Sequence, residues 1–587
     1  MARPAILQQG RDPGVESGPR PPDEEDRLRR LTRLPAPPGD DAKRLAGALD
    51  LSTTVAEWLR SQGHGDSDAT RRYLAPKLAH LSSPDGMVDR AAATDRLAHA
   101  IRRRERIAVF GDYDCDGITS AAIMTEMLRA LGADVTPLLA SRFDGGYGVS
   151  PAACKRILAT GAKVLVTCDC GSSDHPSLAA LGARGLDVIV IDHHLVPEEP
   201  LPAVAFLNPH RPDCGFAYKG LASCGLALSI GAALRAALGA KLDVRPWLDL
   251  VAVGTIADVA PLDGDNRALV RAGLGVLGTL ARPGFRALAT FAKIDGTVPL
   301  SARDIAFRIA PRLNAPGRLG SPDLALELLL ARSDSVASDI AARIEAISEQ
   351  RRDLQEAMAA EAIAEIEREG YGERSAIVIG REGWNFGIVG IVAGRLADRY
   401  GRPVVVLAFE GEKGRGSVRG PKGSRLHDAL SSIAALLERF GGHQAAAGLE
   451  VRRDRLEELR EAFEHAVDAH GAPSGVDDGF AGLVRLVPED DPFRVATDIE
   501  RLEPCGHSNP APRLVVDAQV DDAREVRGGH LKLELSLAGG KRVRGFGVGM
   551  GELAATLTGT VTVLGDLRRD TYMGGNAVEI KVERILT

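Results

Sequence analysis

The stretch VFGDYDCDGITS, residues 109–120, places three aspartates within five positions, between an apolar run and a run of helical character. Asp112, Asp114 and Asp116 repel one another at this spacing unless a cation or water offsets their charge. A metal site explains the stretch, and so does a solvated polar turn. A calcium loop of the EF-hand type does not, because the twelfth position from Asp112 is Ile123 instead of glutamate.

Short apolar runs alternate with helical runs after residue 106, a pattern that indicates βαβ units and a parallel sheet. The runs RIAVFG, KVLVTCD and LDVIVID are predicted strands, and Asp112, Asp169 and Asp192 stand at their C-terminal ends. Ligands of such sheets bind at the carboxyl ends of the strands. The sequence therefore predicts that three strands deliver carboxylates to one edge.

Composition limits the possible functions. The 587 residues suggest several domains of ~100–200 residues each. A net charge of −7 excludes a globally basic nucleic-acid binder, so any polyanion site must be a local basic groove. The seven cysteines form no C-x-x-C pair, which indicates reduced thiols instead of a zinc knuckle. The sequence has no secretory signal and no apolar run of ~18 residues, so we expect a cytoplasmic protein with no membrane partner.

The pattern along the chain predicts an α/β protein of several parts. A proline-rich beginning is expected to be disordered. A Pro-free stretch rich in Ala, Glu and Arg predicts one long connecting helix. A second α/β unit and a small β-barrel of the OB type follow. The predicted boundaries are a tail at 1–45, a helical lead-in at 46–105, a parallel-sheet domain at 106–334, the long helix at 335–370, the second α/β unit at 371–465 and the barrel at 473–587. Within the second α/β unit, residues 425–442 are predicted to form a helix.

Four motifs, in this order, carry a family resemblance: DYDCDG (112–117), CDCG (168–171), DHH (192–194) and GTIADVAPL (254–262). With them the chain resembles the DHH phosphoesterase superfamily, and within it the bacterial exonucleases specific for single-stranded DNA. The resemblance runs from about residue 50 to the C-terminus. Later stretches that share it are RFDGGYG (142–148), PRLNAPGRLGSP (311–322), GWNFGIVGIVAGRL (383–396), GSVRG (416–420), FGGHQAAAGL (440–449) and LEPCGHSNPAP (502–512).

The resemblance implies two Mn²⁺ or Mg²⁺ ions, which oxygen ligands with one imidazole also favour. Their implied ligands are Asp112, Asp114, Asp116, Asp169, His193 and Asp258, with Asp169 shared by both ions. It implies that His194 donates a hydrogen bond to the scissile phosphate and that Asp192 orients the histidines. The nucleophile would be water activated by the ions, not a side chain.

The resemblance also implies a pocket for a 5′ phosphate. Its candidate residues are Ser417 and Arg419 in GSVRG, His443 in GGHQAAAG, and Arg142 from the first domain. Arg312, Asn314 and Arg318 are candidate contacts to the DNA backbone. Each arginine alone also fits a solvated surface charge, and GGHQAAAG also fits small residues at a helix–sheet crossing. Two positions depart from the family pattern, Asn385 in place of histidine and Gly420 in place of serine.

We therefore expect an exonuclease that degrades single-stranded DNA from the 5′ end to mononucleotides, in recombination and repair. A strip on the barrel, KRVRGF (541–546), is a candidate surface for charge contact and stacking. The resemblance implies a single-strand-binding protein and a RecQ-type helicase as partners. Two alternatives stay open: a phosphodiesterase for short oligonucleotides or cyclic dinucleotides, and a non-catalytic DHH-type module that binds DNA.

Overall fold

A computed structural model describes residues 6–7, 34–294, 296, 298–442, 444, 446–470, 482–570 and 574–586. Residues 1–5 and 8–33 of the predicted tail lie outside these ranges, as does the candidate pocket residue His443. The first described helix is Asp40–Leu49, so helical structure begins within the stretch that the sequence assigned to the tail. Among the described helices, none has the length and apolar character needed to cross a lipid bilayer.

The parallel-sheet domain, which the resemblance implies is the catalytic domain, holds a sheet of five parallel strands and confirms the predicted α/β class. In spatial order they are Val135–Leu139, Ile107–Gly111, Val164–Cys168, Asp187–Ile191 and Ala205–Leu207. The strand order changes direction between Ile107–Gly111 and Val164–Cys168, and such a switch point opens a crevice at the carboxyl ends. Central strands of this kind are buried on both faces, as the fully buried pattern of these two shows.

Helices cover this sheet, and the second half of the domain is mostly helical. The helices beside the strands are Cys115–Ala130, Pro151–Ala159 and His175–Gly182. Those that follow are Ser223–Ala237, Leu248–Ala257, Gly264–Gly278, Pro283–Ala292, Ala302–Asp304, a π-helix at Ile305–Ile309, Ala310–Leu319 and Asp323–Leu330. Their apolar faces share one core with the sheet.

A single helix, Asp334–Glu369, leads from this domain to the second α/β unit. The side chain of Ser333 accepts a hydrogen bond from the Val336 amide at its start, and Gly370 ends it in a left-handed conformation. The unit's strands are Ile377–Glu382, Val404–Glu410, Lys413–Arg419, Arg439–Gly442 and Ala446–Arg452. Its helices are Val389–Tyr400, Leu426–Ser432 and Leu456–His470.

One helix of this unit is shorter than predicted. The sequence indicated a helix over residues 425–442, but the helix ends at Ser432 and Arg439–Gly442 is a strand. That strand pairs with Leu449 and its neighbours in antiparallel register, a tertiary contact that outweighs local helical propensity.

The C-terminal part confirms the predicted barrel. Five strands close on themselves: Arg513–Val526, His530–Leu537, Arg542–Gly547, Thr560–Arg569 and Val578–Leu586. The short strand Leu483–Arg485 and the helix Pro492–Arg501 precede it. Its core is shared with the N-terminal helices Asp40–Leu49, Thr53–Ser61 and Asp68–Leu74. The helix Arg90–Arg103 packs instead on the catalytic domain.

Candidate active site

Three aspartates meet at the switch point because each continues the hydrogen bonding of its strand. The amide of Asp112 donates to the Cys168 carbonyl at 3.1 Å, and the amide of Asp169 donates to the Ile191 carbonyl at 2.9 Å. The amide of Asp192 donates to the Leu207 carbonyl at 3.0 Å. All three side chains are buried. The structure thus places these carboxylates at one edge of the sheet.

The DYDCDG motif turns directly into a helix. Asp114 caps that helix, and its Oδ1 accepts hydrogen bonds from the Asp116 and Gly117 amides at 3.1 and 3.2 Å. A Cβ at Gly117 would lie 2.6 Å from the backbone nitrogen of Asp112, so only glycine allows this close turn. The three aspartates therefore follow one tight backbone path.

Asp116 is held by a second helix that the sequence did not point to. Its Oδ2 accepts from the Ser223 amide at 2.7 Å and its Oδ1 from the Cys224 amide at 3.0 Å. These amides open the helix Ser223–Ala237, whose N-terminus favours negative charge. The Ser223 hydroxyl also donates to Asp169 Oδ1 at 3.1 Å. Ser223 and Cys224 thus orient two of the candidate ligands.

Asp169 has the backbone conformation of a strained functional residue. Its φ is 63°, in the left-handed region that few non-glycine residues adopt. Oδ1 of this residue lies 3.3 Å from His193 Nε2 and 3.8 Å from His194 Nδ1. Its side chain therefore lies between the histidines and the DYDCDG carboxylates.

Within the described part of the chain, possible ligand atoms form three overlapping groups, and the atoms of each group lie within 4.8 Å of one another. The groups are Asp112 with Asp114 and Asp169, Asp116 with His193 and Asp258, and Asp169 with both histidines. His193 Nε2 lies 3.6 Å from Asp258 Oδ2. Asp258 directly follows the helix Leu248–Ala257. All six predicted metal ligands thus come together, from distant parts of the chain.

The charges of this cluster fit divalent cations. Burial, followed by the charge of Asp114, raises the pKa of Asp112, and burial with the charge of Asp116 does the same for Asp169. Burial and the charge of Asp116 likewise raise the pKa of Asp258 to about 8. Asp112 Oδ1 and His193 Nε2 are buried, yet neither has a hydrogen-bond partner among the described residues. A pair of bound cations would give these two buried atoms a partner and would offset the repulsion among the carboxylates.

Asp192 holds both histidines in place. Its Oδ1 accepts from the His193 and His194 amides at 2.8 and 3.2 Å and lies 2.7 Å from His194 Nδ1. Its Oδ2 accepts from the Ser172 amide at 3.0 Å. Burial lowers the pKa of His194, but the hydrogen bond and charge of Asp192 outweigh it and raise that pKa to about 9. His194 is therefore cationic at neutral pH, with Nε2 left for another partner.

Tyr147 is a second contact that sequence reasoning missed, although it stands in RFDGGYG. Its hydroxyl lies 3.0 Å from His194 Nδ1 and donates to the Asp169 carbonyl at 3.2 Å. Arg142, in the same stretch, places its guanidinium carbon 3.9 Å from the centre of the Tyr113 ring. This loop therefore lies directly on the carboxylate cluster.

A group of arginines lies between the catalytic domain and the second α/β unit. Arg318 donates to the Gly387 carbonyl at 3.2 Å, and Arg419 donates to Ser417 Oγ at 2.7 Å. Burial and the charge of Arg142 lower the pKa of Arg419, and the same causes lower that of Arg318 to about 9. The guanidinium group of Arg142 thus repels those of Arg318 and Arg419, as expected where an anion binds.

Gly390 and the two positions that depart from the family pattern also lie in this part. A Cβ at Gly390 would lie 3.2 Å from Ser417 Oγ, so this helix start faces the arginine group closely. Asn385 Oδ1 accepts from the Gly387 amide at 2.8 Å. A Cβ at Gly420 would lie 2.6 Å from Ser424 Oγ. Asn385 therefore has a local hydrogen-bond partner, whereas a side chain at position 420 would require Ser424 to move.

Arg312 requires a correction. The sequence assigned it to the DNA backbone, but it is buried and pairs with Glu345 of the long helix. Its other donors bond the carbonyls of Arg308 and Phe291. Asn314 is half-buried, and its Oδ1 lacks a hydrogen-bond partner among the described residues.

The barrel strip KRVRGF is only partly free. Arg542 is 78% exposed and lies 3.6 Å from Asp521, and Arg544 pairs with Glu534 at 3.4 Å and lies 3.8 Å from Asp570. Lys541 donates to the Glu489 carbonyl, and Phe546 is half-buried against His530.

Three families of domains match the chain. The DHH family N-terminal domain matches residues 106–255, the DHHA1 domain 373–469, and the RecJ OB domain 485–584. The RecJ single-stranded-DNA-specific exonuclease of Thermus thermophilus is 34% identical over 93% of this chain and 77% of its own length. The exonuclease of the same name from Bacillus subtilis is 35% identical over 84% of this chain, which spans only 62% of that relative.

Solved structures give the same result. A crystal structure of RecJ in complex with Mn²⁺ from T. thermophilus superposes with a TM-score of 0.77 at 32% identity, covering 94% of this chain and 78% of that one. A crystal structure of exonuclease RecJ bound to manganese has a TM-score of 0.56 at 36% identity, covering 67% and 96%.

Proposed function

The chain belongs to the RecJ family, and we propose that it is a metal-dependent exonuclease that degrades single-stranded DNA from its 5′ end to mononucleotides. The observation that carries the proposal is the meeting of six candidate ligands, two of which present buried atoms, Asp112 Oδ1 and His193 Nε2, that have no hydrogen-bond partner among the described residues. Recombination and repair are the processes in which we propose it acts.

Each part of the carboxylate cluster has a task in this reaction. A pair of Mn²⁺ or Mg²⁺ ions, when bound, would activate water and offset charge on the scissile phosphate. Asp112, Asp114 and Asp169 would hold one ion, and Asp116, His193 and Asp258 the other, with Asp169 shared by both. Asp192 keeps His194 protonated and oriented, so that Nε2 can donate a hydrogen bond to a phosphoryl oxygen.

The arginine group supports recognition of a 5′ phosphate. After burial, the charge of Arg142 lowers the pKa of both Arg419 and Arg318, and the Ser417 hydroxyl accepts a hydrogen bond from Arg419 at 2.7 Å. A terminal phosphate carries two negative charges and several acceptor oxygens, which suits this set of donors. We propose that this contact fixes the 5′ end while the cluster at the sheet edge hydrolyses the bond next to it.

Phe307 supports a second contact with the DNA strand, at nucleotides farther from the 5′ end. Its side chain is 72% exposed, within the π-helix that precedes Ala310–Leu319. The guanidinium carbon of Arg303 lies 5.6 Å from its ring centre, and Arg303 also pairs with Asp566 of the barrel. The helical path from residue 307 to Arg318 spans about 16 Å at a rise of ~1.5 Å per residue. An exposed aromatic with a neighbouring cation is a stacking site for a base, so the strand would run from the arginine group toward the barrel.

The test is the substitution Asp169→Ala, assayed on a 5′-phosphorylated single strand with Mn²⁺. Removing a shared ligand should slow hydrolysis at least ~100-fold. The matched control is Asp187→Ala, an acid at the opposite end of a neighbouring strand that pairs with Arg96. Equal rates for Asp169→Ala and the unmodified protein would defeat the proposal.

Two alternatives predict different results. An enzyme for short oligonucleotides or cyclic dinucleotides would lose activity as the strand lengthens, whereas the barrel and Phe307 favour long strands. A non-catalytic DNA-binding module would bind no Mn²⁺, so metal analysis of the purified protein distinguishes it. We also propose a single-strand-binding protein and a RecQ-type helicase as partners, and calorimetric titration with each purified protein tests this.

A further inference from the structure

Residues 502–509, which we call the brace segment, lie against the loop that follows Asp258. His507 Nδ1 donates to the Val259 carbonyl at 2.8 Å, because a carbonyl can only accept. The His507 carbonyl accepts from the Leu262 amide at 2.9 Å. One residue outside the catalytic domain thus holds both ends of a four-residue loop, through its side chain and its main chain.

The loop needs such support. Val259 has a φ of 59°, a left-handed conformation that is a genuine outlier for a β-branched residue. Its side chain is 64% exposed, so packing of that side chain does not hold it there. Strained backbone persists only where the surrounding structure fixes it. Because Val259 is covalently next to Asp258, relaxation of Val259 would move that carboxylate away from His193.

The brace segment is itself fixed from several sides. Asn509, which is buried, donates from Nδ2 to the carbonyls of Leu502 and Pro504 at 3.2 and 2.5 Å. The Tyr73 hydroxyl donates to Asn509 Oδ1 at 2.7 Å. Arg267, in the catalytic domain, donates to the Pro504 carbonyl at 3.2 Å. Asn509 therefore joins an N-terminal helix, the brace segment and, through Pro504, the catalytic domain.

We propose that the brace segment positions Asp258, so that cation binding at Asp258 and docking of the barrel part on the catalytic domain stabilise each other. The proposal rests on the metal site of the proposed function. By linkage, if the docked segment raises cation affinity, the cation must strengthen docking by the same factor. The barrel would then contribute to catalysis even where it does not touch DNA.

The first measurement is Mn²⁺ affinity, by calorimetric titration of the full chain. Asn509→Ala and His507→Ala should each weaken Mn²⁺ binding ~5–150-fold, the usual range of coupling between sites. The control is Asp490→Ala. Asp490 accepts from the Thr53 and Thr54 amides, so its loss loosens the same contact between barrel and N-terminal helices without touching the loop. Its Mn²⁺ affinity should stay within about twofold of the unmodified protein.

The second measurement is hydrogen exchange, which needs no activity. Mn²⁺ should slow amide exchange across residues 502–509 in the unmodified protein and have less effect in His507→Ala, which removes an exposed side chain. Unchanged Mn²⁺ affinity in both variants, or Mn²⁺ protection confined to the catalytic domain, would overturn the coupling. If the unmodified protein binds no Mn²⁺, the proposed metal site itself fails, a different outcome from loss of coupling alone.

Discussion

Arg312 is expected to stabilise the fold instead of binding DNA. Its Nε and one terminal nitrogen pair with the two oxygens of Glu345 at 2.6 and 3.0 Å, and both side chains are about one-tenth exposed. Replacing Arg312 with methionine leaves the Glu345 carboxylate buried, with Arg352 at 3.4 Å as its one remaining ion-pair partner among the described residues. Removing one partner of a buried ion pair costs about 3–5 kcal/mol. We expect a loss of stability of that size for Arg312→Met.

The assay is a double-mutant cycle of Arg312→Met, Glu345→Leu and the double variant. Hydrogen exchange of the long helix, Asp334–Glu369, reports the opening free energy where a chain of several domains does not unfold in two states. The double variant should be more stable than either single variant, since no charge is left unpaired. Additive losses would refute the reasoning. So would Arg312→Met with unchanged exchange but single-strand binding weakened more than about tenfold.

Three further outcomes are expected. Mn²⁺ binding at pH 7 should release at least one proton, because the raised pKa of Asp258, about 8, keeps this residue protonated until the ion displaces the proton. Calorimetric titration in buffers of different ionisation enthalpy measures the proton release, and identical heats in all buffers would contradict it. Arg419→Met should raise the KM for 5′-phosphorylated DNA about 10–100-fold and leave the KM for 5′-hydroxyl DNA unchanged. The control Arg415→Met, which alters a residue of the same β-strand that pairs with Glu450, should leave both KM values unchanged. Phe307→Ala should weaken binding of long DNA strands about 5–150-fold and leave binding of trinucleotides unaffected. Phe493→Ala removes another exposed aromatic side chain and serves as the control. Equal losses of affinity for long strands and trinucleotides would argue against stacking.

The sequence predicted the parallel sheet and the meeting of Asp112, Asp169 and Asp192, because the strands are apolar runs of regular length that end in an aspartate. Strand direction then puts those ends at one edge, with no knowledge of tertiary detail. The barrel was predictable for a similar reason, since its strands alternate between apolar and polar residues and are separated by glycine-rich turns.

Contacts made by backbone amides could not be predicted. The amides of Ser223 and Cys224 that hold Asp116 have no distinguishing side-chain pattern, because every residue except proline has such a group. Arg312 and Arg318 stand in one motif, and no local feature distinguishes the arginine of the buried ion pair from the arginine that lies near Arg142. Only the position of Glu345 on the long helix separates the two roles.

The core shared by the first helices and the barrel has a consequence for biosynthesis. Trp58 and Leu59 leave the ribosome early, but their packing partners Leu514 and Ile585 follow some 450 to 530 residues later, which takes roughly 20–110 s at ~5–20 residues per second. During that interval the apolar faces of these helices have no native partner, while the catalytic-domain sheet can already assemble. The nascent chain is therefore most prone to aggregate or to recruit chaperones through its earliest segment, and it matures only when its last strands close over that segment.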